Sequence, residues 1–156
     1  MIIAKHINQY KDSQVYFCDP IKNNIMLDGK FIRIIYSTNN FILNGVSVCM
    51  EITEPIMNKY YNKYKVSFCT NKNKELIDQI GKIEYSLLHK SNIEHKQPVF
   101  KITEQLLNGN IKLFTDDENI VDMKSNTKYI LKISGIWETE RQYGLTYKFI
   151  MANHQL

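Results

Sequence analysis

Residues 73–91, "NKELIDQIGKIEYSLLHKS", repeat their apolar positions at Leu76, Ile77, Ile80, Ile83, Leu87 and Leu88. That spacing returns to one side of a helix every turn, so it predicts one amphipathic helix. Asn73 stands where an N-cap belongs, and Glu75 lies in the first turn, where a negative charge meets the positive end of the helix dipole. Gly81 weakens the helix slightly. Before and after this stretch the pattern alternates with a period of two. The chain is therefore constrained to strands arranged around one main helix.

Three strands precede the helix. "KFIRIIYS" (30–37) sets Phe31, Arg33 and Ile35 against Ile32, Ile34 and Tyr36, in β-branched and aromatic company that favours extended backbone. "STNN" is a turn, and "FILNGVSVCMEIT" (41–53) is the next strand, with Asn44-Gly45 marking a bulge or sharp bend early in it. Pro55 ends that strand, and "YNKYKVSFC" (61–69) is the third. After the helix, "TEQLLNG" (103–109) reads as a short helical turn stopped by Gly109, "IKLF" (111–114) as a short strand and "TDDEN" (115–119) as a loop. "KYILKISGIW" (128–137) and "YGLTYKFIM" (143–151) are strands joined by "ETERQ" in a hairpin.

Three strands, a helix, an insertion and two strands is the order of an OB-fold, a five-stranded Greek-key barrel. Other small α+β sheets share this order. The expected class is mainly β with one main helix, closed as such a barrel, with the insertion between the helix and the fourth strand. A length of 156 residues, with 44% hydrophobic and 23% charged residues, suits a single globular domain over 1–156. No apolar run reaches membrane-spanning length, and "MIIAKHINQY" lacks a signal-peptide pattern. Cys18, Cys49 and Cys69 are odd in number and each sits in an apolar run, which suits buried thiols in a reducing, intracellular compartment.

The net charge is +4, and Arg33 and Arg141 are the only arginines. Lysine supplies nearly all the positive charge, as point charges that follow a phosphate backbone without the bidentate geometry that reads bases. The densest basic stretch is "NKYYNKYK" (58–65), and no acidic residue occurs from Pro55 to Lys74. Read as one strand over 58–69, it places Lys59, Tyr61, Lys63, Lys65 and Ser67 on one face. Tyr60, Asn62, Tyr64, Val66 and Phe68 fall on the other, core-leaning face. A lysine face with a tyrosine in it suits single-stranded nucleic acid, the lysines on phosphates and the ring stacked on a base. It equally suits a solvated edge strand that lysines guard against aggregation.

Three further residues belong with this candidate site. Arg33 emerges from an otherwise apolar strand face, as a phosphate contact or a local salt bridge. Trp137, where the fourth strand meets its hairpin, offers a stacking surface or caps the core. Arg141 lies in the hairpin, flanked by Glu138 and Glu140, which oppose phosphate. His89 and His95 lack partners at metal-binding spacing. Asp116, Asp117, Glu118 and Asp122 form an acidic turn in which a divalent ion is the lesser reading. No phosphate-binding glycine loop or nucleophile elbow is present, so no enzyme, metal or cofactor is expected.

"KFIRIIYSTNNFILNGVSV" (30–48), preceded by "PIKNNIMLDG", and "YILKISGIWETERQYGLTYKF" (129–149) resemble small proteins of nucleocytoplasmic large DNA viruses. Some of these are related to phage-type OB-fold single-stranded DNA-binding proteins. The anchors are the F-x-R-I-x-Y-S run from Phe31, the Asn44-Gly45 turn, and Trp137 with Tyr143-Gly144. The resemblance implies a viral protein that binds single-stranded DNA in replication, recombination or repair, in host cytoplasm or a viral factory. Viral replication proteins and a second copy of the chain are further partners it allows. Phage-type members end in an acidic tail that recruits partners; this chain has no acidic residue after Glu140, so no tail-mediated recruitment is expected. The rival reading keeps the barrel only as a scaffold, in a viral structural or interaction protein.

Overall fold

The computed structural model describes residues 4–22, 29–61, 63–113 and 127–152. Three short strands come first: β1 (Lys5–His6), β2 (Val15–Phe17) and β3 (Ile21–Lys22). Next are β4 (Lys30–Ser37), β5 (Ile42–Asn44), β6 (Val46–Glu51), β7 (Ile56–Tyr60) and β8 (Lys63–Ser67). The long helix α1 (Lys74–Lys90) is followed by β9 (Gln97–Val99), the short helix α2 (Lys101–Leu107) and β10 (Asn110–Leu113). Two long strands complete the described chain, β11 (Lys128–Glu138) and β12 (Gln142–Met151). The class is mainly β with one main helix, as the periodicity predicts.

The β11–β12 hairpin is the centre of the sheet. β12 runs along one edge of β11, while two strands share the other edge. β6 takes it from Lys128 to Ile133, and β4 takes it from Gly135 to Glu138. The change of partner coincides with a break in register between Ile133 and Gly135. Two glycines make the crowding there possible. A Cβ on Gly45 would stand 2.5 Å from the Ile133 carbonyl oxygen, and one on Gly135 would stand 2.4 Å from that of Ile32. Gly45 also has φ +84°, a conformation that side chains disfavour. The Asn44-Gly45 signal thus marks a real bend. It divides the expected 41–53 strand into β5, which pairs with β4, and β6, which pairs with β11.

The sheet runs β1-β6-β11-β12-β10-β8-β7, with β2, β3 and β5 attached through β4 and β9 through β12. It is open. The expected closed five-stranded barrel does not form, for two reasons visible in the pairing. β6 lies against β11 rather than against β7 and β8, and β10, supplied by the insertion, stands between β8 and β12. β10 is held there because Ile111 and Leu113 are buried while Lys112 stays exposed.

One face of the sheet carries the core. Ile77, Ile80, Ile83, Leu87 and Leu88 of α1 and Ile102 and Leu106 of α2 join Val48, Met50, Leu131, Ile133 and Phe149 in a single buried cluster. Two buried polar residues tie the helices to their surroundings. Glu84 accepts hydrogen bonds from the Ile102 and Thr103 amides, both at 2.9 Å, and from the Thr103 hydroxyl at 2.6 Å. It satisfies the first turn of α2, which Phe100 cannot cap. Asn73 precedes α1 as predicted but does not cap it. Its amide accepts from Thr53 N–H at 2.7 Å and donates to the carbonyls of Thr53 and Cys69, fastening the start of α1 to the chain before β7 and after β8. Gly109, at φ +79°, stops α2 as expected.

Candidate nucleic-acid interface

The "NKYYNKYK" stretch is a hairpin, not one strand. β7 and β8 pair antiparallel with Tyr60 opposite Lys63, Lys59 opposite Tyr64 and Asn58 opposite Lys65. Tyr61 occupies the turn at φ 55°, left-handed backbone that is uncommon for an aromatic residue. Directly opposed residues share a face. The chain reversal therefore corrects the expected grouping. Lys63 and Lys65 stand with Tyr60 and Asn58, while Lys59 stands on the face of Tyr64. Lys59 Nζ lies 5.8 Å from the Tyr64 ring centroid, in cation–π range. Tyr60, expected to lean into the core, is 68% exposed; Val66 and Phe68 are buried and Tyr64 is half-buried, as expected. Asn62 lies outside the described residues.

β10 completes the site. Lys112 sits directly opposite Lys65 on the far side of β8. Asn58, Tyr60, Tyr61, Lys63, Tyr64, Lys65 and Lys112 line a concavity of about 850 Å³. None of these lining residues is acidic. The rings of Tyr60 and Tyr61 meet edge to face with centroids 4.8 Å apart, at 68% and 83% exposure. Among the described residues no ion pair engages Lys59, Lys63, Lys65 or Lys112. Free ammonium groups beside open aromatic faces can hold a phosphate and a base at once.

The remaining predicted residues lie elsewhere. Arg33 is exposed on β4, directly opposite Gly135, with β10, β12 and β11 between it and β8. It has no ion pair among the described residues, so the local salt bridge considered for it is not formed there. Trp137 is half-buried, packed over Gly144 so closely that a Cβ there would meet its ring at 2.7 Å, with Lys101 Nζ 5.3 Å from its centroid. Arg141 is exposed in the turn of the β11–β12 hairpin. Of its two acidic neighbours, Glu138 is engaged by Lys96 at 2.5 Å. Trp137 and Arg141 sit at the end of the hairpin away from Phe149, the residue beside which β10 and then β8 are attached. The structure does not gather Arg33, Trp137 or Arg141 with the lysine–tyrosine concavity.

Tyr60, Asn58 and Lys112 belong to the site although the sequence pattern placed none of them there. The signal for the first two is "YYNK", an aromatic pair followed by a turn-forming Asn, which permits a two-residue hairpin. Lys112 alternates with buried Ile111 and Leu113, but its neighbour is set by non-local pairing. The acidic turn of Asp116, Asp117, Glu118 and Asp122 lies outside the described residues. Within them, no three His, Cys, Asp or Glu side chains are gathered as a metal site, and His89 stacks on Tyr85. No helix among the described residues is long and apolar enough to cross a membrane. No family model, curated protein or solved structure matches the chain.

Proposed function

We propose that this chain is a non-catalytic, sequence-tolerant single-stranded DNA-binding protein, serving replication, recombination or repair in a large DNA virus. The carrying observation is the concavity on β7, β8 and β10, where Lys63, Lys65 and Lys112 surround the exposed Tyr60–Tyr61 pair without a lining acid. Lysine point charges follow a backbone of any sequence, and every base has a face on which tyrosine can stack. The viral setting rests on the resemblance of residues 30–48 and 129–149. The test is fluorescence anisotropy with labelled oligo-dT at two salt concentrations. Micromolar or tighter binding at low salt, weakening steeply as salt rises, is expected. Absence of micromolar binding at low salt overturns the proposal.

One observation favours an interaction scaffold instead. Among the described residues β7 is an edge of the sheet, and its Ile56 is 63% exposed. An unpaired edge with an apolar side chain can receive a strand from another chain, including a second copy. Sedimentation analysis separates the readings: a dimer dispersed by Ile56→Lys, with no oligonucleotide binding, supports the scaffold.

A further inference from the structure

We infer that the binding surface does not end at the hairpin but continues across the sheet as a row of lysines, which sets the path of a single nucleic-acid strand. This inference rests on the proposed function. Lys65 is directly opposite Lys112, and Lys148 is directly opposite Lys132. The parallel pairing of Leu113 with Phe149 joins the two pairs, because stepping back one residue on each strand sets Lys112 beside Lys148. Lys65, Lys112, Lys148 and Lys132 therefore form one row at right angles to β8, β10, β12 and β11. Asn58 extends the row at one end and Ser47 at the other.

The row cannot slip to the other face. The neighbours of these lysines along each strand include Val66, Ile111, Leu113, Phe149, Leu131 and Ile133, all buried in the core. A one-residue shift in register would exchange them with the lysines. Lys65 and Lys112 are exposed and Lys132 and Lys148 half-buried, so the register alone presents two directly opposed lysine pairs along which an anionic polymer can lie. At strand spacing the four positions span roughly 14 Å, the length of about four stacked nucleotides. Tyr60 and Tyr61 stand at the β7–β8 end, where they can stack on a base as the backbone enters the row.

Lysine acetylation footprinting of the wild-type protein, with and without a saturating oligo-dT, tests the path directly. Lys132 and Lys148 should be protected along with Lys65 and Lys112, while Lys82, on α1, should not. In parallel, Lys132→Gln with Lys148→Gln should flatten the slope of log affinity against log salt by about 1.4, two phosphates at about 0.7 each. Lys132→Gln alone should flatten it by about half as much, should the double variant fail to fold. If the oligonucleotide binds but Lys132 and Lys148 are unreactive in the free protein, or react equally in both states, the path is wrong while the proposed function stands. Unchanged salt slopes in folded variants overturn the path in the same way. If oligo-dT does not bind at low salt, both fail together.

Discussion

Tyr61 combines two properties that local stability alone does not favour. It is 83% exposed, and its backbone is left-handed. For an L-residue that conformation costs about 1–2 kcal/mol, and glycine escapes most of it. Tyr61→Gly should therefore stabilise the fold by about 0.5–1 kcal/mol in urea denaturation, after glycine's own entropy is counted. The same change should weaken oligo-dT binding by about 1–3 kcal/mol through lost stacking. Opposite signs in the two assays identify a residue retained for binding; a variant that gains stability and keeps its affinity shows Tyr61 to be a turn residue only. Tyr64 should behave otherwise. Half-buried against the core, Tyr64→Ala should destabilise by about 2–3 kcal/mol.

The short helix α2 depends on a residue of another element. Its seven residues cannot stabilise themselves, and its start lacks a side-chain cap of its own. Glu84, 1% exposed on α1, supplies the acceptors in its place. Glu84→Gln sets an NH₂ group against amide donors, so a buried N–H loses its partner. Loss of about 2–3 kcal/mol is expected in chemical denaturation, with faster amide exchange at Ile102 and Thr103. If those amides keep their protection, α2 is held by Ile102 and Leu106 alone. The effect reaches the candidate site as well, because α2 leads through Gly109 into β10, which carries Lys112.

One buried and two half-buried tyrosines, Tyr129, Tyr10 and Tyr147, make the whole molecule sensitive to alkali. Burial pushes the hydroxyls of Tyr129 and Tyr147 up to about 12. Burial also raises Tyr10, assisted by nearby Asp12. In the unfolded chain these groups ionise near 10. Their folded values are raised, so the native state is fully favoured below about pH 10, where both states hold the proton. Above that the unfolded chain releases protons first, and stability falls until the folded values are passed near 12. The expected decline is up to about 1.4 kcal/mol per pH unit for each such tyrosine, with no matching loss from pH 7 to 9. Thermal melts across pH 8–12 in Tyr147→Phe and wild type measure it. The variant should show the shallower decline, and equal slopes would place the titration elsewhere.

Local chemistry in the sequence was enough to determine α1, the β11–β12 hairpin, the bend at Gly45 and the stop at Gly109. Each follows from spacing or from a backbone conformation that only certain residues adopt. The basic, acid-free character of 58–65 was equally legible. Its faces were not, because "NKYYNKYK" alternates as well for one strand as for two, and only the reversal at Tyr61 separates Lys59 from Lys63 and Lys65. Lys112, Lys132 and Lys148 are far apart in the chain and unremarkable in their own segments. What aligns them is register, which is decided by the burial of Ile111, Leu113, Leu131 and Phe149 in a core shared by distant strands. The same non-local packing placed β10 in the sheet and left it open, since a four-residue strand gains its stability from its neighbours rather than from its own sequence.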